Sequence, residues 1–349
     1  MKKKKIIIGV ICALIVIILG IIVYANNMLN KINYTNWEDS QKISDEDLDV
    51  DTEEVDENLT KVNPEDVDIN NVDPLDSIPD VSNILLIGEE NIFGDERGRT
   101  DSMMILSINK IEKSVKLTSL MRDSYVKIPN HKDNRLNASY SLGGVPLLKE
   151  TIENNYGITL DNTVLVNFET FEKIIDILGG VDIEITQEEC DYLNANNYIS
   201  EEENRDLKPG INTFNGNQAL GYARIRYVKG IDGELNDFGR TNRQRTLLTA
   251  IFNKYKTSNL NTLLDLMNEI LPYITTDMSK TDIINYLTAI VAMKPNEIET
   301  FRLPIDNSYE GVSIRKMAVL NLDWDKNREA LKNFIYGDLL EDSQNQLNN

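Results

Sequence analysis

The sequence predicts an α/β domain with a central mixed β-sheet flanked by helices, preceded by one N-terminal transmembrane helix. Two observations support this prediction. Short apolar runs of strand length alternate with longer segments of helical periodicity, as in layered α/β domains. An uncharged apolar run from Ile6 to Tyr24 stands apart from them at the N-terminus.

The N-terminal run has the length that a helix needs to cross a bilayer. Four lysines precede it, and the positive-inside tendency keeps them in the cytoplasm. A cleaved signal peptide is the alternative, but residues 23–26 lack its small-x-small cleavage site. We therefore predict a cytoplasmic basic tail over residues 1–5 and a signal anchor over 6–25. The protein is then a single-pass protein of the cell membrane with an extracellular C-terminal part.

The composition of residues 26–80 predicts an acidic, disordered extracellular linker. Between Glu38 and Asp80 lie 17 of the 57 acidic residues, against two lysines. Such a stretch buries too little apolar surface to offset its ordering entropy. One domain is expected over residues 81–340, followed by a polar tail over 341–349. The formal net charge of −21 disfavours nucleic acid as a partner.

Within the domain, the apolar run from Asn83 to Gly88 predicts a buried strand. Gly179 and Gly180 are expected to stop a helix. Further strands are predicted over 103–108, 115–120, 162–168, 181–185 and 298–303. Helices are predicted over 145–156, 169–178, 240–256, 260–271, 280–293 and 325–336.

The composition narrows the chemistry. Two cysteines exclude a disulfide framework, and the single histidine, His131, disfavours metal or nucleophile chemistry that needs several imidazoles. The sequence contains no serine nucleophile elbow and no phosphate loop that ends in Gly-Lys-Ser/Thr. Carboxylates, arginines and hydroxyls are left to provide the chemistry.

Five of the 13 arginines fall between residues 224 and 245. On an extended segment Arg224 and Arg226 would point to one side. Gly239 could open a helix on which Arg240, Arg243 and Gln244 share the first-turn face. Arginines around a helix N-terminus indicate an anion site, because the guanidinium fork suits phosphate oxygens. Surface salt bridges are the alternative interpretation.

Acidic residues follow or precede strands of the same sheet. Glu89 and Glu90 end the first strand, and Asp101 leads into the second. Ligand sites collect at strand ends of α/β sheets, and carboxylates there can hold magnesium together with substrate phosphates. Arg122 adds a cation after the third strand. Together these residues predict a metal and pyrophosphate site.

These motifs, in this order, closely resemble the LytR-CpsA-Psr family over about residues 82–255. The residues that resemble it are Asn83-Ile-Leu-Leu-Ile-Gly88, Gly98-Arg-Thr-Asp101, Ser119-Leu-Met-Arg-Asp123, Arg135-Leu-Asn-Ala138, Val166-Asn-Phe168, Leu178-Gly-Gly-Val-Asp182, Leu207-Lys-Pro-Gly210, Asn215-Gly-Asn-Gln-Ala-Leu220, Asp237-Phe-Gly-Arg240 and Arg243-Gln244. The membrane anchor fits the family as well.

The resemblance implies a phosphotransferase that moves a glycopolymer, such as teichoic acid or capsular polysaccharide, from a polyprenyl-pyrophosphate carrier to peptidoglycan. It implies a magnesium cofactor, with manganese as an alternative, held by Asp101 and Glu90. Asp101, Arg122 and Asp237 would be the catalytic residues. The expected pyrophosphate-binding residues are Arg99, Arg122, Arg224, Arg226, Arg240, Arg243 and Gln244.

One departure bears on activity. The family usually has Gly-x-Asp-x-Arg after the first strand, whereas this chain has Gly88-Glu89-Glu90-Asn91-Ile92. Two alternatives to transfer therefore stay open. One is a non-catalytic binding protein or envelope regulator, and the other is a polyprenyl-pyrophosphate hydrolase.

Overall fold

The computed structural model of the chain describes residues 33–37, 58–75, 77–90, 99–337 and 339. The predicted basic tail, transmembrane anchor and polar tail lie outside these residues. Among the helices that the structure does describe, none is both long and apolar enough to cross a membrane.

The strands, in chain order, are β1 (Asn33–Tyr34), β2 (Thr60–Lys61), β3 (Val81–Glu90), β4 (Arg99–Asn109), β5 (Ser114–Leu120), β6 (Tyr125–Val126), β7 (Asn134–Arg135), β8 (Asn162–Asn167), β9 (Val181–Ile185), β10 (Gly210–Phe214), β11 (Thr275–Thr276), β12 (Ile298–Leu303), β13 (Tyr309–Ile314) and β14 (Met317–Leu322). The helices are α1 (Leu136–Tyr156), α2 (Phe168–Ile177), α3 (Gln187–Ala195), α4 (Gly216–Ala223), α5 (Asn236–Tyr255), α6 (Leu260–Ile270), α7 (Lys280–Met293) and α8 (Trp324–Tyr336).

The main sheet has the strand order β1-β11-β8-β3-β4-β5-β12. Strand β3 pairs antiparallel with β4 and parallel with β8, and β12 pairs parallel with β5. The predicted mixed sheet is therefore confirmed. Three neighbouring strands of this sheet, β3, β4 and β5, are also consecutive in the sequence.

Both faces of the sheet are covered. Leu85 and Ile87 of β3 belong to the core that α1 and α8 share. Ile84 and Leu86 face the opposite way, toward α6 and α7. A strand buried on both faces is apolar at successive positions, which is why the sequence shows a continuous run here rather than an alternation.

A second core lies beside the sheet. Strand β9 is a strand as predicted, but it pairs with β10 in a separate two-stranded sheet. The apolar sides of α2 to α5 pack against this hairpin. The lobe formed by residues 168–255 thus projects from the main sheet next to the ends of β4 and β5.

Two predicted helices begin earlier than the sequence indicates. Helix α1 starts at Leu136 rather than at Val145, and the non-helical backbone of Gly143 and Gly144 divides it. The predicted start matches the segment after that kink. Helix α5 starts at Asn236 rather than at Arg240, so Gly239 lies inside it and does not open it.

Part of the predicted disordered linker has an ordered place, which corrects that prediction. Strand β2 pairs with β13, and Val72 donates its backbone N–H to the carbonyl of Asn154. Ile69 is 7% exposed and belongs to the core of α1 and α8. The apolar residues of this acidic segment are sufficient to pack part of it against the domain.

Candidate active site

Antiparallel pairing of β4 and β5 brings two predicted site residues together. Met103 lies opposite Leu120, so the start of β4 and the end of β5 meet at one edge of the sheet. Asp101 and Arg122 come just outside this pair. Asp237 reaches the same point from the first turn of α5.

Arg122 bridges the two aspartates. Its Nη1 donates to Oδ1 of Asp101 over 2.5 Å, and its Nε donates to Oδ2 of Asp237 over 2.7 Å. Burial alone would lower the pKa of Arg122, but Asp237, Asp123 and Asp101 raise it above its ordinary value. Arg122 is therefore a fixed cation at the centre of the site.

Two further arginines complete the arrangement. Arg240 places Nη1 3.1 Å from Asp101 Oδ2 and donates from Nη2 to Asp237 Oδ2 over 2.8 Å. Arg226 lies 3.3 Å from Asp237 through its Nε and 3.8 Å from Asp101 through its Nη2. We call Arg122, Arg226, Arg240, Asp101 and Asp237 the arginine–aspartate cluster.

The cluster contains one more cation than anion, and it is largely shielded from water. Arg240 is only 3% exposed, and its Nε has no hydrogen-bond partner among the described residues. Burial would raise the pKa of Asp101, but Arg240, Arg122 and Arg226 outweigh it and hold that pKa below its ordinary value. Asp101 is thus ionised. The excess positive charge of the three arginines favours the binding of a further anion.

Asp123 borders the cluster and behaves differently. Its Oδ1 lies 3.8 Å from Arg122 and 3.6 Å from Arg135 and accepts no hydrogen bond from any residue that the structure describes. Burial raises the pKa of Asp123 to about 6, against the opposing effect of Arg122 and with the help of Asp237. Sequence reasoning did not assign a role to Asp123 or Arg135, although Asp123 directly follows Arg122.

Arg243 lies away from the cluster, contrary to the predicted shared face. It is 2% exposed, and its Nε donates to Glu189 Oε1 over 2.7 Å. Its terminal nitrogens donate to the carbonyls of Ile225 and Val228. With its donors engaged in this way, Arg243 holds the segment after α4 in place.

The predicted extended segment around Arg224 is also wrong. Gly221 to Ala223 end α4, and Arg224 is the C-terminal cap of that helix. The Arg224 guanidinium lies over the ring of Phe168, 5.4 Å from its centroid. Arg224 therefore points toward Phe168, whereas Arg226 points toward Asp101 and Asp237.

An apolar cavity adjoins the cluster. It has a volume of about 270 Å³ and lies between β3, β4 and β8 on one side and α2, α4 and α5 on the other. Ser102 and Ala223 line it, next in sequence to Asp101 and Arg224, as does Gln244, one turn after Arg240. Leu86, Met104, Val166, Phe171, Leu247 and Leu248 supply apolar surface.

The remaining predicted site residues are Glu90 and Arg99. They pair through the backbone at the ends of β3 and β4, but their side chains lie outside the described part of the chain, as do residues 91–98. Among the residues that are described, no three metal-ligating side chains converge. The assignment of Asp101 and Glu90 as magnesium ligands therefore stays a prediction.

Solved structures share this fold. The crystal structure of Bacillus subtilis TagV superposes with a TM-score of 0.58 at 24% identity, covering 74% of this chain and 98% of TagV. A structure of TagT bound to LI-WTA gives a TM-score of 0.57 at 23% identity, over 77% of this chain and 97% of TagT. Both likenesses concern the fold.

Two curated relatives are similar in sequence. The regulatory protein MsrR of Staphylococcus aureus is 31% identical over 258 residues, covering 72% of this chain and 73% of MsrR. The polyisoprenyl-teichoic acid–peptidoglycan teichoic acid transferase TagU of Bacillus licheniformis is 31% identical over 256 residues, covering 72% of this chain and 71% of TagU.

The family model matches most of the chain. The model described as the LytR_cpsA_psr family covers residues 38–333, which include the arginine–aspartate cluster, the apolar cavity and the ordered part of the acidic segment. The resemblance that the motifs indicated is thereby confirmed, and the chain belongs to the LytR-CpsA-Psr family.

Proposed function

We propose that this protein transfers a glycopolymer from a polyprenyl-pyrophosphate carrier to peptidoglycan. The arginine–aspartate cluster beside an apolar cavity is the observation that supports it. A lipid-linked diphosphate has a doubly charged group next to a hydrocarbon chain, and this site offers guanidinium donors next to an apolar slot. The name of the relative TagU points to the same class of reaction.

The donors of the cluster suit a diphosphate. Arg122, Arg226 and Arg240 present their guanidinium groups from three separate elements to one small volume. Hydrogen bonds between arginine and phosphate oxygens are charge-assisted and stronger than neutral ones. Water exclusion around Arg240 strengthens them further. The cluster would hold the phosphates in line and stabilise charge that builds up during transfer.

The proposed reaction is a direct displacement at phosphorus and needs no covalent enzyme intermediate. A hydroxyl of peptidoglycan attacks the phosphorus next to the glycopolymer, and a new P–O bond forms. The anhydride bond to the other phosphorus breaks, and polyprenyl phosphate leaves with its electron pair. The hydroxyl proton passes to a base, and the product is a phosphodiester.

Asp123 is our candidate for that base. Oδ2 of Asp237 accepts hydrogen bonds from Arg122 and Arg240, and its Oδ1 lies 3.3 Å from Arg226 Nε, so each oxygen faces a guanidinium group. Asp123 has an oxygen without a hydrogen-bond partner, and its pKa, raised by burial to about 6, is close to the working pH that favours a general base. Asp237 then orients the arginines.

Magnesium fits the site as a cofactor shared with the substrate. The ion keeps several waters and takes one or two carboxylates, with its other ligands from phosphates. Asp101 and Glu90 are the expected carboxylate ligands, and because the Asp101 oxygens face Arg122 and Arg240, the ion would replace one of these contacts. Its contribution would be to neutralise phosphate charge. The predicted anchor places this reaction at the outer face of the membrane.

The test uses the full chain in detergent with a polyprenyl-pyrophosphate-linked sugar, peptidoglycan fragments and magnesium. Release of polyprenyl phosphate should require the acceptor and should fall when magnesium is chelated. Arg226→Ala removes charge-assisted hydrogen bonds and should lower the rate by about 10- to 100-fold. Lys208→Ala, an exposed change outside the cluster, is the control and should leave the rate unchanged.

The assay separates the alternatives. Release at the same rate without an acceptor would identify a hydrolase. The relative MsrR is named a regulatory protein, so a binding role is the second candidate. Arg226-dependent binding without any release in the presence of acceptor would favour that role. Transfer that is indifferent to Arg226→Ala would refute the proposed site.

A further inference from the structure

A second cleft, of about 770 Å³, lies on the other side of α5 from the apolar cavity. Its walls come from α5, from β9, from the loop before α5 and from the start of β12. More polar side chains line this cleft than line the apolar cavity. Its size falls within the range of small-molecule sites.

Helix α5 lies between the two cavities, and different faces of the helix line each of them. The residues Gln244, Leu247, Leu248 and Ile251 line the apolar cavity. The residues Asn242, Arg245, Thr246, Thr249 and Asn253 line the polar cleft. Positions three, four and seven apart share one face of a helix, so each set forms one continuous stripe.

Two neighbouring groups on the polar stripe lack partners. Arg245 is 8% exposed and donates from Nη2 to Asn242 Oδ1, but its Nη1 has no hydrogen-bond partner among the described residues. Thr249, one turn later, has a buried hydroxyl that is likewise unpartnered. Buried polar groups are paired in most native proteins, and these two lie one turn apart on the wall of one cleft, where a bound ligand would provide the missing acceptor.

Because Arg245 is charged, its burial without an ion-pair partner among the described residues lowers the stability of the fold. Burial and the nearby Arg302 lower the pKa of Arg245 to about 10, so the group is still charged at neutral pH. No described carboxylate forms an ion pair with it, although Asp232 and Glu234 favour its charge from a distance. A fold with no use for this cation would be more stable with an apolar side chain there.

The opposite wall supplies acceptors. Asp182 and Glu184 point outward from β9, where they alternate with buried Val181, Ile183 and Ile185. Asn242 and Asn253 offer both donors and acceptors. A ligand for this cleft must therefore donate to carboxylates and accept from a guanidinium and a hydroxyl. An N-acetylated amino sugar provides both kinds of group, closely spaced, in its hydroxyl and acetamido substituents.

We propose that this cleft binds a saccharide with hydroxyl and acetamido groups, whose amide carbonyl accepts from Arg245. The inference rests on the proposed function, since it assigns the cleft to the glycan of the acceptor. Arg245 is five residues after Arg240, which corresponds to about 8 Å along the helix axis. Five residues also turn the side chain by about 140° around the helix, so a glycan chain bound in the cleft would pass around α5 to bring a hydroxyl to the arginine–aspartate cluster.

The test measures binding of an N-acetylglucosamine tetramer to the full chain in detergent by titration calorimetry, with thermal unfolding alongside. Arg245→Met should weaken the affinity by about tenfold, because a charged donor is lost. Its unfolding temperature should stay equal or rise, because an unpaired buried cation is removed. Thr249→Val should weaken binding by a smaller factor. Lys208→Met, an exposed lysine outside the cleft, is the matched control.

A glucose tetramer without acetamido groups should bind more weakly than the N-acetylglucosamine tetramer. Equal binding of the two would overturn the role given to Arg245. No binding of the amidated tetramer, or a lower unfolding temperature of Arg245→Met with unchanged affinity, would overturn the site. Arg226→Ala should bind the tetramer normally. Tetramer binding therefore tests the cleft even if the proposed transfer reaction is wrong.

Discussion

Asp101 and Asp123 show how neighbours decide the properties of a single residue. Both carboxylates are partly buried at the same edge of the sheet, and burial acts on the pKa of both in the same direction. Three arginines surround Asp101 and lower its pKa, whereas Asp123 has weaker contacts and a raised pKa. Two residues of one type thus differ in their capacity to accept a proton.

Asp123→Asn should affect stability in a pH-dependent way. The pKa of Asp123 in the folded state, about 6, lies above the unfolded value of about 3.9, so folding is favoured when the group is protonated. Asp123 therefore costs stability above pH 6 and not below pH 4. We expect Asp123→Asn to be more stable than the parent by about 1–3 kcal/mol at pH 8 and equal to it near pH 4. Urea unfolding at both pH values measures this difference.

The same substitution tests Asp123 as a base. The rate of the parent should decline as the pH falls through about 6, because the carboxylate becomes protonated. Asp123→Asn should lose at least about 100-fold in rate without loss of diphosphate binding. A variant with the parent's pH profile would show that the proton goes elsewhere.

Helix α5 directs three neighbouring side chains into three different surroundings. Arg240 faces the cluster, Arg243 faces Glu189 of α3, and Gln244 faces the apolar cavity. These residues are adjacent or one turn apart in the sequence, so the sequence indicates a common anion site. The packing of α5 between the lobe and the sheet separates them.

Arg243→Met should destabilise the lobe. It leaves Glu189, which is fully buried, without its charged partner, and loss of one member of a buried pair costs about 3–5 kcal/mol. Denaturant unfolding of the variant should show a lower midpoint. Adding Glu189→Gln should recover part of the loss, since the unpaired charge is removed. An unchanged midpoint for the single variant would contradict this account of the pair.

Leu248→Trp should separate lipid binding from diphosphate binding. Leu248 lines the apolar cavity from α5, so a larger ring there occupies space that the proposed lipid chain needs. Affinity for a long-chain polyprenyl pyrophosphate should fall several-fold, while affinity for inorganic pyrophosphate should not change. Leu248→Met keeps the volume similar and serves as the control. Equal losses for both ligands would mean that the cavity does not hold the lipid.

At the scale of the whole molecule, the acidic N-terminal segment is part of the fold where Ile69 inserts. Ile69→Ala should lower the free energy of unfolding by about 2–4 kcal/mol, because a buried side chain is truncated. Ile111→Ala is the matched control, since Ile111 is 53% exposed. A solvated spacer would give the same small effect at both positions.

Local patterns were sufficient for much of the architecture. The sequence predicted β3, β4, β5, β8 and β12. The signal was strongest for β3, because a strand covered on both faces has a continuous hydrophobic sequence. The hairpin of β13 and β14 was not predicted, since its edge positions mix polar and apolar residues. Helix α4 was mistaken in part for an extended segment, because two arginines two residues apart also fit a strand.

By itself, the sequence determined the mixed α/β fold, the family and a site of arginines and aspartates, since these depend on residue type, periodicity and motif order. Only the tertiary structure decided which arginines meet. The pairing of β4 with β5 brings Asp101 to Arg122. The burial of α5 directs Arg243 to Glu189 and leaves Arg245 without an ion-pair partner among the described residues. Such choices depend on contacts between residues far apart in the chain, which no local pattern encodes.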